Sequence, residues 1–289
     1  MLRQLWRITF VIGLYSVFVS WVDANLHLED FDLPIGFAAL PGTFVGVLLA
    51  FRTNSSYGRW WEARILWGSI VNDSRTWVRQ LIAFAGDSDD FSRDAVRRMS
   101  RRQIAWCYAL TRSLRKQPPL DDIAHLVDAD EFEAFKTQFH VPNALLLSQA
   151  NDLRALRDRE TIDAWQFITL EASLGRLTDS MGGCERIRNT PFPPHYSTWI
   201  HYLVYLVIVL LPFSFVDAPA FVMILVTVPV AMGYLIVEKV AMYLETPFSQ
   251  AMTGTPMSAI SRTIEINILQ MLGDSETPPE LEPQNGVLY

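Results

Sequence analysis

Five histidines and two cysteines are the residues of this chain best equipped for chemistry, and their spacing withholds it. His27, His125, His140, His195 and His201 form no i, i+4 pair and have no cysteine at ligand spacing, so a zinc or two-metal centre has no support. Gly182-Gly183-Cys184 has the small residues of a nucleophile turn but neither a preceding strand nor a partnered base; close helix packing is its better role. There is no phosphate-cradling glycine loop, no GxSxG and no CxxC. The expectation is a protein that is not an enzyme and carries no cofactor or metal. One stretch is chemically dense all the same, Arg52-Thr-Asn-Ser-Ser-Tyr-Gly-Arg-Trp-Trp-Glu-Ala-Arg64. Asn54, Ser55 and Ser56 can satisfy backbone near a membrane surface, and Tyr57, Trp60, Trp61 and Trp67 suit an interfacial aromatic belt. Arg59, Glu62 and Arg64 are spaced to pair across a helical turn or with neighbours. Membrane anchoring and subunit packing explain most of these residues.

The element that positions this stretch is the apolar run immediately before it, Leu33 to Phe51, with Pro41-Gly42 in its middle. In lipid a helix tolerates such a break only where protein or a water-filled cavity takes the freed backbone groups, so a kinked helix facing a pore or cavity is expected. Three further windows, Leu5 to Val22, Trp199 to Val216 and Ala218 to Val237, come near the roughly 20 residues that cross about 30 Å of hydrocarbon. A hydrophobic content of 50% over 289 residues supports spans rather than a soluble core. No small-x-small cleavage site closes the first window, which ends in Trp21-Val-Asp23-Ala-Asn25, so it reads as a retained span. Arg3 and Arg7, then Arg52, Arg59 and Arg64, then Arg186 and Arg188, then Lys239 flank the four windows on one side. The loop Asp23 to Asp32 and the turn around Asp217 hold no Lys or Arg, which places both termini and the long middle segment in the cytoplasm.

That middle segment holds 20 of the 24 basic residues, yet Asp and Glu are mixed among them and the chain carries a formal charge of −7. A solvated, salt-bridged helical surface is expected, not a nucleic-acid interface. Gly86-Asp-Ser-Asp-Asp90, Gln117-Pro-Pro119 and His140-Val-Pro142 punctuate its helices, and Thr190-Pro-Phe-Pro-Pro194 ends the last. Cys107 and Cys184 read as reduced packing residues. The resulting division is 1–51, two spans with an acidic outer loop; 52–196, a helical cytosolic domain; 197–240, two more spans; 241–272, a cytosolic segment with an amphipathic piece from Ile260 to Leu272; and 273–289, a flexible acidic, Pro-rich tail. The fold class is all-α membrane protein.

Three motif groups resemble the bestrophin family, specifically its bacterial branch. They are Phe51 to Arg64 with Trp67-Gly68 and Asn72; Cys184-Glu-Arg-Ile187 followed by Thr190-Pro-Phe-Pro-Pro-His-Tyr196; and Glu245-Thr-Pro-Phe248 followed by Arg262-Thr-Ile-Glu-Ile-Asn267. Arg52, Arg59, Trp60, Trp61, Glu62, Pro247 and Phe248 then stand as motif residues with structural roles. The resemblance implies a homopentamer in a bacterial inner membrane, four transmembrane helices per subunit, and a central pore with a hydrophobic neck and a second, cytosolic constriction. The neck falls on Leu40, Phe44 and Leu48, at i, i+4, i+8 on one helix face; the lower constriction falls on Ile162. Partners are other copies of the chain, the bilayer and permeating monovalent ions, with no nucleic acid. Five apolar rings of this kind can gate by dewetting, because an ion there has no substitute for its hydration shell.

Two departures from the family pattern carry weight. Animal relatives follow their Pro-Phe motif with an acidic calcium-binding cluster, whereas Pro247-Phe-Ser-Gln-Ala-Met-Thr-Gly-Thr-Pro256 holds no carboxylate, so that kind of calcium dependence is not expected. The family is described chiefly as anion channels, but the outer loop here holds Asp23, Glu29, Asp30 and Asp32 with no basic residue, which favours sodium-like cations at the outer mouth. Three alternatives are weaker. A secondary transporter calls for repeat symmetry, which is missing. An intramembrane enzyme calls for paired ionisable groups in the spans, where His201 has no carboxylate near it in sequence. A non-conducting scaffold or signalling protein is the third.

Overall fold

The computed structural model describes residues 2–26, 37–86, 89–190, 192–215, 218–251 and 253–283. Among these the chain forms nine α-helices and no strand: α1 (Leu2–Leu26), α2 (Ala39–Ala85), α3 (Asp90–Leu114), α4 (Ala129–Phe135), α5 (Val141–Asp158), α6 (Ala164–Asn189), α7 (Pro194–Leu210), α8 (Ala220–Leu244) and α9 (Met257–Met271). A 3-10 turn, Leu211–Phe215, extends α7 through Pro212. The chain divides into two compact units, Met1–Arg59 with Pro191–Glu245, and Trp60–Thr190 with Thr246–Tyr289.

The punctuation that ends and starts these helices is local chemistry. Asp89 caps α3 by accepting from the Ser92 amide at 2.7 Å. Asp163 and Gln166 form a reciprocal capping box on α6, each bond 2.8 Å. The ring of His140 performs the same task for α5, its Nδ1 accepting from the Asn143 amide at 3.1 Å, with Pro142 already helical behind it.

In the first unit α1, α7 and α8 are each long and apolar enough to cross a membrane. With the first turns of α2 they enclose a small core of Ile12, Val45, Leu49, Ile200, Val204, Val207, Ile208, Ala231 and Leu235. Phe10, Leu14, Phe18, Trp199, Phe221 and Leu225 remain exposed on the same helices, far more apolar surface than water tolerates, so lipid or further protein covers it. The second unit is packed as a water-soluble helical domain is. Trp67, Trp77 and Trp106 are fully buried with Leu81, Met99, Ile104 and Leu153. Trp67 therefore belongs to a core, not to an interfacial belt; its ring lies on the inward stripe of α2 with Ala63 and Ile70.

One expectation is overturned here. Pro41-Gly42 does not break a helix, because α2 begins at Ala39 and Pro41 falls in its first turn. The first amides of a helix have no intrahelical acceptor, so the missing proline N–H costs nothing there. Within the candidate spans the interior prolines are Pro212, in the 3-10 turn that extends α7, and Pro229 of α8, which leaves the Leu225 carbonyl without its usual donor.

Candidate functional site

The first four turns of α2 present two unlike faces. Val45 and Leu49 point into the core of the first unit, while Leu40 is 79% exposed and Phe44 58% exposed. Leu48 is half-buried and packs against the core, so the exposed stripe continues through Val47 and Phe51 instead. Leu40, Phe44, Val47 and Phe51 keep within a narrow sector at about 100° per residue. Gly42 lets this helix approach α8: a β-carbon there would lie 3.1 Å from the Tyr234 hydroxyl, which donates to the Gly42 carbonyl at 3.0 Å. Its role is close approach and not flexibility.

At the lower end of the stripe the apolar surface gives way to a buried charged cluster. Arg52, 2% exposed, donates from Nε to Glu245 Oε1 at 2.8 Å, and its Nη1 lies 3.8 Å from Oε1 of Glu238. His201 of α7 places Nδ1 2.8 Å from that same Glu238 oxygen, and the ring of Tyr205 meets the imidazole edge-on with centroids 4.7 Å apart. His201 thus has a carboxylate partner after all, supplied from α8, 37 positions further along the chain. Charges this well buried persist only when paired, so the cluster ties α2, α7 and α8 together.

The remaining motif residues serve packing. Trp60 donates from its indole to the Thr253 carbonyl at 2.6 Å, and the Arg64 guanidinium lies 4.5 Å from its ring centroid. Trp61 is exposed, and Glu62 accepts from Arg186 of α6. Arg59 is half-buried at the end of the first unit's part of α2. Pro247 is buried and its carbonyl accepts from the Thr255 amide at 2.7 Å; Phe248 lies in the core of the second unit. Asn267 of the last motif accepts from Arg75 Nε at 2.9 Å. Burial pushes the Cys184 and Cys107 thiols up to about 12, which removes them as nucleophiles.

Ile162 does not face an opening. It is 2% exposed and sits in the core of the second unit, just before the α6 cap. The exposed apolar side chains nearby are Trp165, 80% exposed, and Ile168, both on the first turns of α6. Of the acidic group, Asp23 lies in the last turn of α1, half-buried, with Oδ1 sealed and lacking a hydrogen-bond partner among the described residues; Glu29, Asp30 and Asp32 lie outside them.

Spanning helices, an exposed apolar stripe on a fourth helix and a separately packed helical unit define a helical membrane protein. Its family follows from comparison. The family model described as bacterial/fungal bestrophin protein matches residues 1–270, and the chain belongs to that family. It is 31% identical over 266 residues to a voltage-dependent anion channel-forming protein of Ralstonia nicotianae, covering 90% of this chain and 86% of the relative. It is 32% identical over 242 residues to the voltage-dependent anion channel-forming protein YneE of Escherichia coli, covering 84% and 78%. The crystal structure of a bacterial bestrophin homolog from Klebsiella pneumoniae superposes with a TM-score of 0.87 at 29% identity, over 94% of this chain and 98% of that one.

Proposed function

We propose that five copies of this chain surround a central pore in a bacterial inner membrane and conduct small monovalent ions, with both termini cytoplasmic and four spans per subunit. The observation that carries the reading is the apolar stripe on α2, exposed at Leu40 and Phe44 in a chain of the bestrophin family. Leu40 and Phe44 form the neck, each repeated five times, with Val47 taking the third position on that face in place of the half-buried Leu48; narrow rings of this kind exclude ions until they widen. Trp165 replaces Ile162 as the lower constriction, because only an exposed side chain can meet its copies across an axis. The relatives, named as voltage-dependent anion channel-forming proteins, support ion passage and point to anions. A second reading, cation conduction, is favoured by the outer-loop carboxylates, which are a property of this chain. Flux through proteoliposomes decides the class: trimming the neck with Leu40→Ala and Phe44→Ala together raises the leak several-fold over the native chain. Silence in both forms leaves a scaffold and removes the channel.

A further inference from the structure

In the second unit a cavity of about 520 Å³ opens between α3, the segment after it and α9, well within the range of small-molecule sites. Three arginines line it, and two are neutralised from within the same wall. Arg112 bonds Asp122 and, at 3.1 Å, Asp121. Arg262 lies 3.2 Å from Glu265 and donates to the Tyr108 hydroxyl at 3.1 Å. Arg115 differs. Its Nη1 donates to Ser258 Oγ at 2.6 Å, while Nε and Nη2 are buried and without a hydrogen-bond partner among the described residues, and no carboxylate pairs with it there. Nε and Nη2 are the two donors that fork onto a planar oxyanion. Burial, and secondarily the like charge of Arg112, lower its pKa from the usual arginine value, the mark of a cation lacking its counter-charge.

We infer that this cavity binds a small oxyanion, a carboxylate or inorganic phosphate, on Arg115, independently of ion conduction. Nε and Nη2 are sealed as the guanidinium now lies, so binding requires it to turn from its Ser258 bond and present the fork to the cavity, where Thr111, Gln117 and the released Ser258 hydroxyl supply further polar groups. The carboxylates of Asp121, Asp122 and Glu265 on the same wall exclude polyanions, so the ligand is small. Leu281 of the acidic tail also lines the cavity, so occupancy touches the tail itself.

The test is thermal unfolding of the full chain in detergent, titrated with sodium phosphate or sodium acetate against sodium chloride at matched ionic strength. A saturable rise in Tm is expected with at least one oxyanion, and the relative half-saturation concentrations tell carboxylate from phosphate. Arg115→Gln should raise the half-saturation concentration at least tenfold while leaving the oxyanion-free Tm unchanged or higher, since an uncompensated charge has been removed. Gln117→Glu, which adds a carboxylate to the wall, should weaken the response similarly. No saturable rise with either oxyanion, a rise untouched by Arg115→Gln, or a lower oxyanion-free Tm in that variant overturns the site. None of these readouts depends on the protein being a channel.

Discussion

Gly183 shows how much a single missing side chain positions. A β-carbon at this place on α6 would lie 2.9 Å and 3.0 Å from the two methyl groups of Leu66 on α2, closer than packed carbons approach. Those methyls are the ends of a flexible side chain, so Gly183→Ala is absorbed by a rotamer change at a cost of about 1 kcal/mol or less. Gly183→Leu has nowhere to go and lowers stability by about 1–3 kcal/mol. Thermal unfolding of the two variants side by side checks the ordering; equal Tm values would mean the helices do not meet there. The sequence supports this role directly, because Gly182-Gly183-Cys184 lacks every companion a nucleophile requires. It could not reveal Arg52 on Glu245, or His201 on Glu238. Those partners lie 193 and 37 positions apart, and no local spacing encodes a pairing made by tertiary packing.

Among the elements, α3 and α5 are clamped by one carboxylate. Asp152 accepts from Arg98 Nη2 at 2.9 Å and from Arg102 Nη1 at 2.7 Å, and Arg102 is buried. Burial works to raise the Asp152 pKa, but the two arginines outweigh it and the carboxyl is held below its ordinary value. A carboxyl whose pKa is lowered by folding contributes stability above the unfolded value of about 4, and that contribution is lost as pH falls through the folded value. The Asp152 contribution should therefore be flat from neutral pH down to about 5 and fall below about 4. Asp152→Asn should flatten part of that fall and cost about 2–3 kcal/mol at neutral pH, where it leaves Arg98 without its carboxylate and Arg102 with Glu131 alone. Urea unfolding at pH 7 and pH 4 measures both. Helix boundaries were readable from sequence because caps are local: Asp89 and the His140-Val-Pro142 group stand where the chain was expected to turn. The kink was not readable, since Pro41 breaks a helix or begins one according to where the first amide lies, and only the backbone decides that. The burial of Ile162 has a related reason. Near a helix start, a shift of a few residues exchanges the buried and exposed faces, so Trp165 is exposed and Ile162 is not.

For the whole assembly the open question is the sign of the ion, and here family resemblance and local charge disagree. The relatives carry anion conduction in their names, while this chain places Asp23, Glu29, Asp30 and Asp32 between its first two apolar runs with no Lys or Arg among them. In the proposed pentamer, five copies of this acidic stretch would put a ring of carboxylates near the outer mouth, which would concentrate cations and repel anions before either met the neck. Apolar rings of the proposed kind would discriminate poorly by sign, which would leave the preference to the mouth. Its reach follows the screening length, about 8 Å in physiological salt and about 30 Å at 0.01 M. Two consequences separate this mechanism from selectivity built into the neck. Reversal potentials in a sodium chloride gradient should move toward the sodium equilibrium value, and the more so as total salt is lowered. The combined Asp23→Asn, Glu29→Gln, Asp30→Asn, Asp32→Asn variant should lose most of that preference while conducting at a similar rate. A native reversal potential near the chloride value refutes the cation reading and returns this chain to the anion behaviour its relatives are named for. A sodium preference that survives the neutralised loop instead moves the selecting element to the cytosolic side, where Trp165 would be the first residue to substitute.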